Sequence, residues 1–211
     1  LKMKINLIFF LSRFAMGGAG NSIFRLCKGL SKKKFNISVI CLKNCSYEKE
    51  FRNIEIKVYK VNSNKTAFAM LKIYKITKLL ISKKYKKNIF ISNIYYTNVL
   101  SLIFLRNLNN LKIVLVERTP LMELNIYFNF SDAVKKNFIK LLIYLLYKFS
   151  DSIICNSTSI SRHFKLKYNL NTKTIFPPSV INSSQSLSKV YKKKVTLIII
   201  TVCRLTKEKG L

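Results

Sequence analysis

Apolar residues in this chain fall into short runs separated by stretches that repeat at helical spacing, and the two patterns alternate from end to end. Residues 4–11 form an apolar run of the kind a strand needs when both faces of a parallel sheet are covered. Gly17, Gly18, Ala19, Gly20 and Asn21 break it, and Ile23, Leu26, Cys27 and Leu30 then recur at helical intervals. Residues 35–42, rich in β-branched side chains, predict a second strand, and residues 54–61, where Ile54, Ile56 and Val58 alternate with Glu55 and Lys57, a third. A helix is expected over 67–82 from Leu71, Tyr74, Lys78 and Leu79, a strand over 88–92, a helix over 95–105 and a strand over 111–116. Residues 131–149 begin on a capping-type Ser131 and put Val134, Phe138, Leu141, Leu142, Leu145 and Leu146 on one apolar face. That face reads as core, with Lys135, Lys136, Lys140 and Lys148 solvated; a helix lying on a membrane is the alternative. A strand over 151–155, a helix over 158–167 and a strand over 173–176 follow, before Pro177 and Pro178. Such alternation predicts an α/β fold with a doubly wound parallel sheet, whose ligands bind at the carboxyl ends of the strands.

After Pro178 the composition turns to Ser, Asn, Gln and Lys, which is linker-like, and a new apolar run begins at Val195. We therefore expect one domain over 1–180, a linker over 181–194, and over 195–211 the first strand and loop of a second, incomplete domain.

Charge changes the picture next: 39 Lys and Arg face 8 Asp and Glu, a net charge of +31. Such a surface attracts polyanions. Lys, Asn, Ile, Phe and Tyr are abundant together, as an A/T-rich coding sequence produces, so charge alone names no partner. No zinc-finger, RRM-like or helix-turn-helix pattern accompanies it; no specific nucleic acid is expected, and a basic nucleic-acid-binding module stands as an alternative on charge alone. The five cysteines are odd in number, scattered and without a C-x-x-C pair, which fits a reducing compartment and predicts neither a disulfide framework nor a metal site. Arg13 cuts the first apolar run and no small-x-small cleavage site follows, so that run reads as a buried strand rather than a signal peptide. The charge-free stretch between Lys87 and Arg106 carries Asn88, Ser92, Asn93, Asn98 and Ser101, too polar for a membrane span, and reads as strand, turn and helix.

Three places can carry chemistry. Gly17 and Gly18, between first strand and first helix, let a ligand approach the backbone and the free N–H groups of the helix, although the six-position dinucleotide fingerprint is missing. Glu117 and Arg118 follow a buried strand and should emerge at the sheet's carboxyl edge in the same cleft. Arg204 and Lys209 bracket the loop after the strand at Val195, where a fork of donors and a point charge can neutralise a diphosphate. His163 has no carboxylate near it in sequence to orient it and is not expected to be a base.

Taken in order, these segments resemble the family 4 glycosyltransferases, enzymes with two facing Rossmann-like domains (the GT-B architecture). The first strand, Gly17, Gly18, Ala19 and the following helix are similar to the family's opening; Val116, Glu117, Arg118, Thr119 and Pro120 to its S-E-R/H-N-x-P segment; residues 149–157 to its A-D-x-I-V-x-x-S strand; residues 175–180 to its I-Y-N-P turn; and residues 202–210 to V-G-R-L-x-x-x-K-G. The resemblance implies the N-terminal half of a GT-B fold truncated early in its second domain. It implies transfer of a sugar from a UDP- or GDP-sugar, with retention, to a glycan or lipid-linked acceptor of the cell envelope. It assigns Gly18, Arg204 and Lys209 to the donor, and Gly17, Glu117 and Arg118 to the acceptor side of the cleft, Arg118 with an electrostatic role. No metal and no cofactor are implied, and the expected place of work is the cytoplasm, at the anionic inner face of the plasma membrane. Arg118 stands where many members have His, Cys203 where they have Gly, and Pro177 where they have Asn. The family's paired glutamates are not within these residues, so the 211 residues alone are expected to turn over no sugar. A sugar-phosphate isomerase of related two-domain form is a further alternative.

Overall fold

The computed structural model describes residues 3–14 and 17–178, which belong to one compact unit ending at Pro178. Strands β1 (Ile5–Phe10), β2 (Phe35–Cys41), β3 (Lys57–Lys60), β4 (Lys87–Asn93), β5 (Lys112–Glu117), β6 (Ser152–Cys155) and β7 (Lys173–Thr174) form a seven-stranded sheet ordered β3-β2-β1-β4-β5-β6-β7, with every pair parallel. Helices α1 (Gly18–Gly29), α2 (Glu48–Asn53), α3 (Thr66–Leu80), α4 (Tyr95–Leu105), α5 (Phe130–Leu146) and α6 (Thr158–Tyr168) supply the connections. This is the doubly wound, Rossmann-like sheet that the alternation predicts. The charge-free stretch is indeed strand, turn and helix, and no helix of the described residues is long and apolar enough to cross a membrane.

Period-two alternation on β1 divides the core. Leu7 and Phe9 join Ile23 and Cys27 of α1 and Phe51 of α2 on one face. Ile8 and Phe10 join Met70 and Ile73 of α3, Leu102 of α4, Ile143 of α5 and Phe164 of α6 on the other. At the amino edge the buried Asn6 amide donates to Asn88 Oδ1 (2.9 Å) and the Leu80 carbonyl (3.0 Å) and accepts from Asn36 Nδ2 (2.8 Å), joining β2, β1 and β4. Between β5 and β6 the Asp151 carboxylate accepts from the Ile113 amide at 2.8 Å.

Three expectations need correction. Alternation over 54–61 suggests one strand, but Glu55 has φ 56° and turns the chain after α2, so the strand starts at Lys57. On α3 the sequence pattern picks the wrong face: Leu71 and Leu79 point to solvent, and Ala69, Met70, Ile73 and Thr77 are buried. That helix is apolar on two sides, and spacing alone does not say which side the sheet takes. Helix α5 is capped two residues earlier than Ser131 implies, by Asn129, whose Oδ1 accepts from the Asp132 amide at 2.8 Å. Its Val134, Phe138, Leu141 and Leu145 are exposed rather than core, and Ile143, with Tyr147 just beyond, is what it buries fully. Residues 181–211, including the expected linker, second-domain strand, Arg204 and Lys209, lie outside the described residues.

The two faces of α3 separate in a stability measurement. Ile73→Ala, at a fully buried site, should cost roughly 2–5 kcal/mol in urea unfolding, whereas Leu79→Ala should stay within about 0.5 kcal/mol.

Candidate functional site at the carboxyl edge

Strand order reverses at β1, whose neighbours are β2 and β4, and a doubly wound sheet opens its ligand crevice at the carboxyl ends of the strands beside such a switch point. Both sequence-predicted groups of described site residues come to this edge. Gly17 immediately precedes α1 in the connection that follows β1, and Glu117 ends β5, one strand beyond β4.

Gly17 has an extended backbone (φ 171°), and a Cβ added at Gly17 or Gly18 would meet no atom within 4 Å. Neither glycine is thus demanded by turn geometry or by close packing; their smallness leaves the backbone open to an approaching molecule. No side chain caps α1 and no acid lies in its first turn, while its first hydrogen bond runs from the Asn21 amide to the Gly17 carbonyl at 3.0 Å. The amides of residues 18–20 keep their donors, where the helix dipole favours an anion.

Arg118 is half-buried, and burial lowers its pKa below the ordinary arginine value. Its Nε donates to Asn93 Oδ1 at 3.0 Å, and the Asn93 amide nitrogen donates in turn to the Phe10 carbonyl at 3.1 Å. With its nitrogen held by the last residue of β1, the Asn93 side chain offers its oxygen to Arg118, so that one amide links the ends of β1, β4 and β5. No carboxylate among the described residues pairs with it. Asn156, after β6, donates its side-chain amide to the Arg118 carbonyl at 3.0 Å and its backbone amide to the Glu117 carbonyl at 3.1 Å.

Glu117 departs from the expectation that both members of the pair emerge into the cleft. Its side chain turns inward and is fully buried. Oε1 accepts from Asn98 Nδ2 of α4 at 2.7 Å and from the Tyr147 hydroxyl in a short contact. Burial pushes its pKa up to about 7, against the lowering effect of these two donors. The same burial, with the nearby carboxyl, holds the Tyr147 phenol well above its usual value. Around this strand end, Asn98 Oδ1, Glu117 Oε2, Thr119 Oγ1 and Asn156 Oδ1 are buried without a hydrogen-bond partner among the described residues. Buried polar atoms usually find a partner, and this strand end gathers four that find none among the described residues.

The turn into α4 adds strain, for Ile94 has φ 76°, unusual for a β-branched residue and common at functional sites. On the far side of β1 the same edge holds an open cavity of about 410 Å³ lined by Ser12, Arg13, Leu42, Lys43, Asn44, Ser46, Ser63 and Asn64. His163 packs its ring against Phe164 and Tyr168 on α6, and no carboxylate orients it among the described residues. Sequence reasoning missed Asn93, Asn98, Tyr147 and Asn156. The asparagines left a trace as polar residues in an otherwise apolar stretch or after a strand, and Tyr147 left none.

A family model described as Glycosyltransferase Family 4 matches residues 16–180. No curated protein sequence matches the chain. Among solved structures the fold is similar to Anabaena HepE in complex with UDP and glucose (TM-score 0.57, 14% identity, 82% of this chain and 44% of that one). It is also similar to Phytolacca americana UGT2 complexed with UDP-2-fluoro-glucose and pterostilbene (TM-score 0.53, 10% identity, 87% and 56%). A third likeness is a sucrose-phosphate synthase structure from Thermosynechococcus elongatus (TM-score 0.52, 9% identity, 84% and 90%). The chain thus spans about half the length of HepE and UGT2, and its sheet corresponds to one lobe of the GT-B glycosyltransferase fold.

Glu117 gives the edge a pH signature. Its pKa is raised from 4.5 to about 7, so the stability that its neutral form contributes is complete below pH 4.5 and is lost as pH rises through 7. Glu117→Gln keeps an acceptor for Asn98 and Tyr147 but does not titrate. Denaturant unfolding should therefore show the variant gaining on the wild type between pH 5 and 8, by up to about 3 kcal/mol.

Proposed function

We propose that this chain, which belongs to glycosyltransferase family 4, supplies the acceptor-side lobe of a retaining transferase moving a sugar from a UDP- or GDP-sugar to a glycan or lipid-linked acceptor in cell-envelope polysaccharide synthesis. What carries the reading is the half-buried Arg118 guanidinium, pinned by Asn93 beside the switch point and paired with no acid among the described residues. The UDP and UDP-sugar bound by HepE and UGT2 support a nucleotide-sugar donor.

In such a transfer the bond between the anomeric carbon and the diphosphate oxygen breaks, the electron pair leaves with the diphosphate, and the acceptor oxygen takes its place as its proton departs. Negative charge grows on the leaving group, so cations and N–H donors held in advance stabilise the transition state more than the ground state. In this reading Arg204 and Lys209 hold the donor diphosphate. Gly18 and the uncapped first turn of α1 offer amides to it, and Gly17 keeps the cleft open. Arg118 supplies positive potential on the acceptor side, and Glu117 shapes that rim through Asn98 and Tyr147 without itself facing the cleft. No metal or cofactor takes part. The work is done on the cytoplasmic side of the plasma membrane, and the 211 residues alone turn over no sugar.

Steady-state transfer by the full-length enzyme, assayed over a panel of UDP- and GDP-sugars, tests the assignment. Arg118→Ala should lower kcat/KM by about 10–100-fold, some 1.4–2.7 kcal/mol of transition-state stabilisation. Asn93→Ala should lose part of that, and the double variant little more than Arg118→Ala, because one residue acts through the other. Undiminished transfer by Arg118→Ala, or transfer by the 211 residues alone, overturns the reading.

A further inference from the structure

Single exposed apolar side chains are ordinary on a protein surface, but a cluster of them is not. More than half of the large apolar side chains exposed among the described residues fall between positions 122 and 149, on the approach to α5 and on α5 itself. Along that helix Phe130, Val134, Phe138, Leu141 and Leu145 recur at intervals of four, four, three and four, which sets them in one stripe, and Phe130 is 85% exposed and Phe138 58%. The opposite edge of the same helix, centred on Ile143, packs onto the core. Helix α5 is therefore apolar on both sides, and among the described residues only one side packs on the core; a helix apolar all round belongs in a core or against lipid.

Cations accompany the stripe. Arg106 lies 4.7 Å and Lys148 5.3 Å from the ring centre of Phe149, Lys136 5.0 Å from that of Phe128, and Lys140 5.2 Å from that of Tyr127. Asp132, the acid of the first turn of α5, is engaged by Lys136 at 2.7 Å and by the Phe128 amide. Aromatic rings with basic groups beside them suit the boundary between acyl chains and headgroups, where the rings enter and the ammonium groups meet anionic lipid. A second copy of the chain fits this face poorly, because it would bring another net +31 against the same lysines.

We propose that the exposed stripe of α5, with its flanking Lys135, Lys140 and Lys148, is a docking surface for an anionic lipid bilayer. The inference deepens the transferase reading, on which it rests for its purpose, by naming where the protein would meet a lipid-linked acceptor. Binding of vesicles requires no donor, so it can fail while that reading stands, and it stays measurable if that reading falls.

These 211 residues contain no Trp, so Phe138→Trp in the full-length protein places an indole on the stripe, read as the difference from the unsubstituted protein. Its emission should shift to the blue, and be quenched by brominated lipid, on adding vesicles of phosphatidylcholine with about one third phosphatidylglycerol, but not of phosphatidylcholine alone. Co-sedimentation should fall about tenfold in Phe138→Ser/Leu141→Ser. It should fall several-fold more for Lys135→Gln/Lys140→Gln/Lys148→Gln than for Lys83→Gln/Lys84→Gln/Lys86→Gln, which removes equal charge at the amino edge, and raising salt from ~0.1 to ~0.5 M should weaken it. Equal binding of the serine variant, equal binding to neutral vesicles, or equal effects of the two lysine sets overturns the proposal. So does indole emission already blue without vesicles, whether it depends on protein concentration, as a second copy on the stripe would make it, or not, as cover by the rest of the chain would.

Discussion

A polar side chain set into the rim of a buried parallel sheet must find a partner, and at this rim one asparagine meets that demand for two strands at once. Asn93 gives its amide hydrogen to the last carbonyl of β1, which leaves its oxygen one direction in which to point. Arg118 completes the pair, and a cation that would otherwise sample many rotamers is tied to the end of β4. The placing of charge at the carboxyl edge follows from satisfying a backbone carbonyl. Neither residue could do this in a sheet that paired its strands in another order, since β1 and β5 are neighbours of β4 only because the order reverses at β1.

Glu117 performs the complementary task beneath the rim. Its buried carboxyl joins the end of β5 to α4 through Asn98 and to the end of α5 through Tyr147, while the first turns of α5 bury no side chain fully. The helix is thus held most firmly at its carboxyl end, next to the sheet edge, and presents the rest of its length to the exterior. The raised pKa of Glu117 is the electrostatic mark of this joint, since a dry site with two donors still does not offset the desolvation of a full charge.

Strand and helix order was legible because runs and periodic stretches differ in kind, and each buried strand of a parallel sheet announces itself by an apolar run. Faces of helices were less legible. On α3 and α5 apolar residues lie on two sides, and choosing between Leu79 and Ile73 requires the position of the sheet, which no local pattern holds. The polar residues that argued against a membrane span prove to be hydrogen-bonded within the fold: Asn88 pairs with Asn6, Ser92 with Ser101, Asn93 with Arg118 and Asn98 with Glu117. Their polarity was visible in the sequence, and their partners, 19 to 82 positions away for all but Ser92, were not. For the pair at the end of β5, position along the strand was readable, whereas the inward turn of Glu117 depends on Tyr147, thirty residues distant.

The choice of arginine at position 118 is itself explained by the pairing. Asn93 takes the Nε donor, and among the described residues no carboxylate takes the two terminal nitrogens of the guanidinium. An imidazole has two ring nitrogens, so the same hydrogen bond would leave it one donor at most and a charge that depends on pH. A lysine would keep the charge but lose the plane. Where the family pattern admits histidine, this chain thus obtains a permanent cation with a fixed direction, and it does so with an asparagine already committed to the sheet.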